Sequence, residues 1–207
     1  MDTILLHPAY FPSVAQMVAV VHCKQLVFEA EDNYQKQTYR TRAYIAHSNG
    51  KLLLNVPIQH TGDRQRTKEV LVEDSFPWQS QHWKSLQAAY RTSPFFEFYE
   101  DDLKVLFERK VETLWEHNLT IFETLCDLIG IEKDYSTTDE YFKDPTQQDL
   151  RYLSDAKTER NFELEPYIQV FQERHGFLEN LSVLDLLFNQ GPNTLHYLES
   201  QDIPFKP

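Results

Sequence analysis

The sequence predicts a single-domain α/β fold: a small mixed β-sheet with an N-terminal βαβ unit and a hairpin, covered by C-terminal helices. Three observations predict it. Two short apolar runs flank an amphipathic stretch within the first 28 residues. Asn49-Gly50 separates two apolar segments, a strong hairpin signal. From Trp78 onward, apolar residues recur with helical spacing.

The elements follow in order. Residues 3–6 form an apolar run stopped by His7-Pro8 and read as a buried strand. Pro8 and Pro12 stiffen the loop around Tyr10-Phe11. Ser13 is the N-cap of a helix reaching about His22, with Val14, Met17, Val18 and Val21 on one face. Leu26-Val27-Phe28 is the next strand, and so short a strand–helix–strand implies a right-handed crossover and a parallel pair. Residues 39–45 alternate, Ser48-Asn49-Gly50 turns, and residues 52–58 return. Residues 61–68 read as a loop and 69–72 as a further strand. Helices are expected over 78–92, 95–116 after the Ser93-Pro94 break, and 119–129 closed by Gly130. Residues 132–165 are polar and are expected as a loop or lid. Residues 166–175 and 182–188 read as helices, Gly191-Pro192 ends the second, and Asn193 caps a short last one. The domain thus divides into a sheet-forming basic part (1–75), a helical part (76–131), the polar segment (132–165) and the C-terminal helices (166–207).

Composition excludes several classes. The 207 residues carry a net charge of −12. Five glycines, at positions 50, 62, 130, 176 and 191, build neither a G-x-x-x-x-G-K-[ST] loop nor a G-x-G-x-x-G turn. The acidity argues against nucleic acid as a partner. Charge is uneven, however. Residues 1–68 hold eight basic and five acidic residues, net +3, and the remainder holds 12 basic and 27 acidic ones, net −15. The first third is therefore where an anion site is expected. No apolar run approaches the ~20 residues needed to span a bilayer. The N-terminal residues lack a secretory signal pattern, and Cys23 and Cys126 lie far apart, as in a reducing compartment. A cytoplasmic protein is expected.

Four places hold candidate chemistry. His7, Tyr10 and Phe11 lie beyond the carboxyl end of the first strand, where open α/β sheets bind ligands. His7 suits a general base. Glu31-Asp32-Asn33-Tyr34-Gln35-Lys36 follows the second strand, where carboxylates can orient a histidine or take a proton and Lys36 can meet a phosphate. Arg40 and Arg42, two apart on an expected strand, share one face for forked contacts to an anion. Asp185 is either part of a shortened capping box with Ser182 or an inward carboxylate that needs partners. The eight histidines show no H-x-x-x-H or H-E-x-x-H spacing, and no serine lies in G-x-S-x-G. No pattern points to a metal or a cofactor.

These pieces together resemble the WbqC-like family. His7-Pro8-Ala9-Tyr10-Phe11-Pro12 is similar to its opening Q-P-x-[YF]-F-P, with His7 in place of the glutamine. Val27-Phe28, Glu31, Asn33-Tyr34, Lys36, Arg42 and Ile45 follow its V-F-x-x-D-x-Q-Y-x-K…R…I stretch. Tyr90 with Ser93-Pro94-Phe95-Phe96 resembles its helix break, and residues 181–192 resemble its closing L-S-I-[IL]-D-L-L-F-N-x-G-P, which includes Asp185 and Asn189. The resemblance implies glycyl or related acyl transfer to an activated amino sugar in O-antigen or surface-polysaccharide assembly. A sugar nucleotide or acyl donor is then the small-molecule partner. His7 and Glu31 would be catalytic. Tyr10, Phe11, Asn33, Tyr34, Lys36, Arg40, Arg42, Asp185 and Asn189 would bind substrate. The alternative is a non-catalytic small-ligand-binding or scaffold protein.

Overall fold

A computed structural model describes residues 1–158 and 160–205. The first apolar run forms β1 (Thr3–Leu6), the second β2 (Gln25–Phe28), and α1 (Val14–His22) joins them. The two strands pair in parallel, Ile4 opposite Leu26 and Leu6 opposite Phe28, as the short crossover requires. Ser13 and Gln16 cap α1 reciprocally: the Ser13 amide donates to Gln16 Oε1 at 3.0 Å, and Ser13 Oγ accepts from the Gln16 amide. Every α1 residue from Val14 to Val20 is buried, so the helix is enclosed all round instead of on one face.

The hairpin forms as expected, from β3 (Arg42–His47) and β4 (Gly50–Asn55). Gly50 takes a φ of +108°, which favours glycine at this turn. The hairpin is a separate two-stranded ladder and does not join the parallel sheet. β3 starts only at Arg42. Residues 38–41 make a turn instead, closed by the Thr41 amide on the Thr38 carbonyl at 3.2 Å, so Arg40 and Arg42 do not share a strand.

Residues 132–165, expected as a loop, complete the sheet. β5 (Tyr135–Thr137) adds to β2 and β6 (Gln148–Asp149) to β1, giving the all-parallel order β5-β2-β1-β6. Strands this short and polar carry no periodic signal of their own; they are held by the apolar β1–β2 pair they extend. Residues 69–72 form a tight turn and isolated bridges to Ile58 and Thr113 instead of a strand.

Helices α2 (Trp78–Tyr90), α3 (Phe96–Glu108) and α4 (Leu114–Ile129) follow. The expected helix over 95–116 is broken after Glu108, because Thr113 caps α4 by accepting from the Glu116 amide. α4 ends where Gly130 adopts a left-handed φ of +81°. The expected helix over 166–175 shrinks to α5 (Gln172–His175), and α6 (Val183–Gln190) and α7 (Thr194–Ser200) close the chain. One hydrophobic cluster runs from Ile4 to Leu198 through both sheet and helices.

Candidate functional site

Three strands deliver charged or titratable residues at their carboxyl ends: β1 gives His7, β2 gives Glu29 and β6 gives Asp149. The sheet order also reverses about β1, with β2 and β5 on one side and β6 on the other. Ligands of open parallel sheets sit at such a switch point.

The centre is a buried pair. His7 Nε2 lies 3.0 Å from Asp32 Oδ2, and His7 is only 6% exposed. Arg40 Nη1 donates to both Asp32 oxygens, at 3.1 and 3.0 Å, and Thr67 Oγ1 donates to Oδ1. The Arg40 guanidinium lies 5.6 Å from the centroid of the Tyr34 ring. Burial pushes the Asp32 carboxyl up, but the hydrogen bond to His7 and the charge of Arg40 outweigh it and hold the carboxyl at about 2. Burial, then the Arg40 charge, lower His7 below its ordinary value despite Asp32. An ionised carboxylate only accepts, so Nε2 carries the imidazole proton and Nδ1 keeps its lone pair. Nδ1 is buried and has no hydrogen-bond partner among the described residues.

A second network braces the first. Glu29 is fully buried; its Oε1 accepts from Thr138 Oγ1 at 2.8 Å and from the Glu31 amide at 2.9 Å, and its Oε2 accepts from Arg151 Nη1 at 3.1 Å. Arg151 grips Asp149 with a fork, Nε to Oδ1 at 2.9 Å and Nη2 to Oδ2 at 2.6 Å. Burial raises the Asp149 carboxyl, but Arg151 outweighs it and leaves it lowered.

The expected residues divide. His7, Arg40 and Tyr34 meet, but Asp32 holds His7 and Glu31 does not. Glu31 bonds Arg66 at 2.6 Å and Lys68, and the Lys68 contact holds its carboxyl low. Asn33 and Lys36 are exposed. Tyr10 and Phe11 lie in the core: Tyr10 Oη is 2.8 Å from His82 Nδ1, and Phe11 stacks on Phe107 with ring centroids 5.5 Å apart. Arg42 is half-buried on β3. Asp185 forms its own network, fully buried, with Oδ1 accepting from Tyr90 Oη at 2.7 Å and Oδ2 from Tyr167 Oη at 2.7 Å and Gln169 Nε2 at 2.8 Å. Burial raises its carboxyl despite these three donors. Asn189 donates to the Asp185 carbonyl at 2.7 Å. Asp185 is thus the inward, partnered carboxylate, and Ser182 caps α6 without it.

Sequence reasoning missed Thr67, Glu29, Asp149 and Arg151; it placed Asp32 in the turn after the second strand and as a pairing partner for Arg40, but gave the catalytic role to Glu31. Glu29 was findable as an acid right after β2, at the carboxyl end of a strand. Asp149 and Arg151 lie in the segment whose strands carried no pattern.

A family model described as WbqC-like protein family matches residues 7–161. The chain belongs to the WbqC-like family. The matched span opens at His7 itself and encloses both networks at the carboxyl edge of the sheet. Three of the four WbqC-like motif resemblances fall inside it, and the closing stretch over 181–192 lies beyond. The chain is also 25% identical over 217 residues to the uncharacterized protein Rv1507c of Mycobacterium tuberculosis, covering 91% of this chain and 94% of that protein. No solved structure matches significantly. Among the described residues no group of three or more His, Cys, Asp or Glu is placed to hold a metal, and no helix is long and apolar enough to cross a membrane.

Proposed function

We propose that this WbqC-like protein is a cytoplasmic transferase that places a glycyl or related acyl group on an activated amino sugar for surface-polysaccharide or O-antigen assembly. One observation carries the reading: a neutral histidine, held by an ionised aspartate, keeps its basic Nδ1 without a partner among the described residues at the switch point of a parallel sheet. In the proposed step the sugar amine attacks the acyl carbonyl carbon, and His7 Nδ1 takes the amine proton as the C–N bond forms. The bond to the donor's leaving group breaks, the electron pair leaves with that group, and His7 returns the proton to it. Asp32 orients the ring as Glu31 was expected to. Arg40 keeps Asp32 ionised. Asn33, Tyr34 and Lys36, on the more accessible turn after β2, contact substrate. Tyr10, Phe11, Asp185 and Asn189 hold the frame without touching it.

A second reading, a small-ligand-binding protein without turnover, is favoured by the near-complete burial of His7. Mass-spectrometric assay of acyl transfer to nucleotide-linked amino sugars separates them. His7→Ala is expected to lower kcat by roughly 10²–10⁴-fold. His7→Gln, which keeps a hydrogen bond to Asp32 but has no base, is expected to be folded and equally inactive. Unchanged turnover in either variant overturns the catalytic assignment. Ligand bound by the wild-type protein with no turnover establishes the second reading.

A further inference from the structure

A cleft of about 440 Å³ lies between the hairpin face and residues 153–162. Its volume falls within the ~300–1,000 Å³ of small-molecule sites. Tyr39, Tyr44 and Phe162 supply aromatic surface, with the Tyr39 and Tyr44 rings edge-to-face at 6.1 Å. Lys157 and Arg160 supply positive charge. The two carboxylates of the lining are engaged in shaping the loop. Asp155 accepts from the Lys157 amide at 2.9 Å and Thr158 Oγ1 at 3.0 Å, and Glu179 accepts from the amides of Phe162 and Leu164 at 3.3 and 2.8 Å. Neither Lys157 nor Arg160 has an ion-pair partner among the described residues. The Arg160 guanidinium instead lies over the Tyr152 ring, 4.6 Å from its centroid, and its buried Nε has no hydrogen-bond partner among the described residues. A planar fork over an aromatic ring, next to further aromatic faces, matches a molecule with phosphates at one end and a stacking base at the other.

The cleft is joined to the dyad by one turn. Tyr39 lines the cleft, and the next residue, Arg40, reaches Asp32. The Tyr39 backbone is fixed on both sides, its amide on the Ser154 carbonyl at 2.8 Å and its carbonyl on the Tyr10 amide at 2.9 Å. Arg42 lies on the same strand face as Tyr44, because side chains two apart on a strand share a face.

We infer that this cleft binds the nucleoside diphosphate part of the activated sugar, with the base against Tyr39, Tyr44 and Phe162 and the phosphates on Lys157 and Arg160. The role as part of a substrate rests on the transferase reading above; the binding itself does not. Calorimetric titration of the full chain with UDP, dTDP, ADP and GDP tests it, alongside uridine and inorganic pyrophosphate. At least one diphosphate is expected to bind at least tenfold tighter than either fragment. Arg160→Ala and Tyr44→Ala are each expected to weaken it tenfold or more with an unchanged circular dichroism spectrum. Binding by none of the four diphosphates, or binding that Arg160→Ala leaves unchanged, overturns the inference. Diphosphate binding that is lost in Arg160→Ala, with no acyl transfer in any assay, sinks the transferase reading alone. Acyl transfer to an amino sugar without diphosphate binding sinks this one alone.

Discussion

At the scale of single residues, the aromatic loop after β1 has a consequence for pH. Tyr10 packs between His82 and His117, with ring centroids at 5.6 and 5.8 Å. Burial lowers His82 to about 4, and burial with the Arg109 and His82 charges lowers His117 to about 3. In the unfolded chain both take a proton as pH falls below about 6.5, while the folded protein leaves them neutral until about 4 or below. Stability is therefore full above about 6.5 and declines as pH falls, by about 1.4 kcal/mol per pH unit for each histidine. Asp32 adds a second loss at lower pH: its depressed carboxyl stabilises the fold above about 4, and that contribution disappears toward about 2. Urea midpoints at pH 7 and 5 are expected to differ, and His82→Gln to shrink the difference by one proton's worth; equal midpoints in the wild type contradict the account. This residue scale was the least legible in the sequence. Glu31 and Asp32 are neighbours of like charge, and which one faces His7 depends on how the turn after β2 pairs with residues 65–67. The Thr67 amide on the Asp32 carbonyl at 2.9 Å and the Tyr34 amide on the Gln65 carbonyl at 2.9 Å decide it, and those contacts are non-local.

At the scale of elements, the motifs around Tyr90 and Asp185 are two halves of one joint. Tyr90 Oη donates to Asp185 and accepts from the Ala46 amide at 3.0 Å, so it ties α2 to α6 and to the hairpin. Phe96 and Tyr90 both pack on Phe188, with centroids 5.0 Å away in each case. Gly191 has a φ of +52°, and a Cβ there would lie 2.5 Å from the Phe95 ring. Gly191→Ala is expected to cost roughly 1–3 kcal/mol from overpacking, with backbone strain added. Tyr90→Phe removes a donor from a buried carboxylate and an acceptor from a buried amide, and is expected to cost roughly 1–3 kcal/mol for each group left unpaired. Denaturant midpoints check both, and a Tyr90→Phe protein as stable as the wild type would show that the joint contributes nothing. Helices α2 and α6 were legible from their apolar spacing, and the hairpin from Asn49-Gly50. The partners of Asp185 were not. Tyr167 and Gln169 belong to a stretch read as helix, and only its extended backbone points both of them at the same carboxylate.

At the scale of the whole molecule, early and late parts of the chain are locked together by Arg151. It joins Asp149, beside β1, to Glu29, at the end of β2. Arg151→Ala leaves Glu29 as a buried carboxylate without its cation, which costs roughly 3–5 kcal/mol. Calorimetric melting is expected to show that loss, with part of it recovered in the Arg151→Ala/Glu29→Gln double variant; no recovery would mean that Arg151 acts through Asp149 alone. The basic character of residues 1–68 also looks different in three dimensions. Arg40 is spent inside on Asp32, and Arg66 and Lys68 on Glu31, so the positive excess serves internal pairing as much as ligands. The parallel β1–β2 core was legible because its strands are apolar; its flanks were not, because β5 and β6 are three and two residues long. That arrangement governs synthesis. As the chain leaves the ribosome, β1 and β2 can pair early, yet the outer edge of each stays bare until Tyr135 and Gln148 emerge. At ~5–20 residues per second that interval lasts on the order of ten seconds. Two apolar strands with open edges are a template for pairing with other nascent chains, and β5 and β6 close that template.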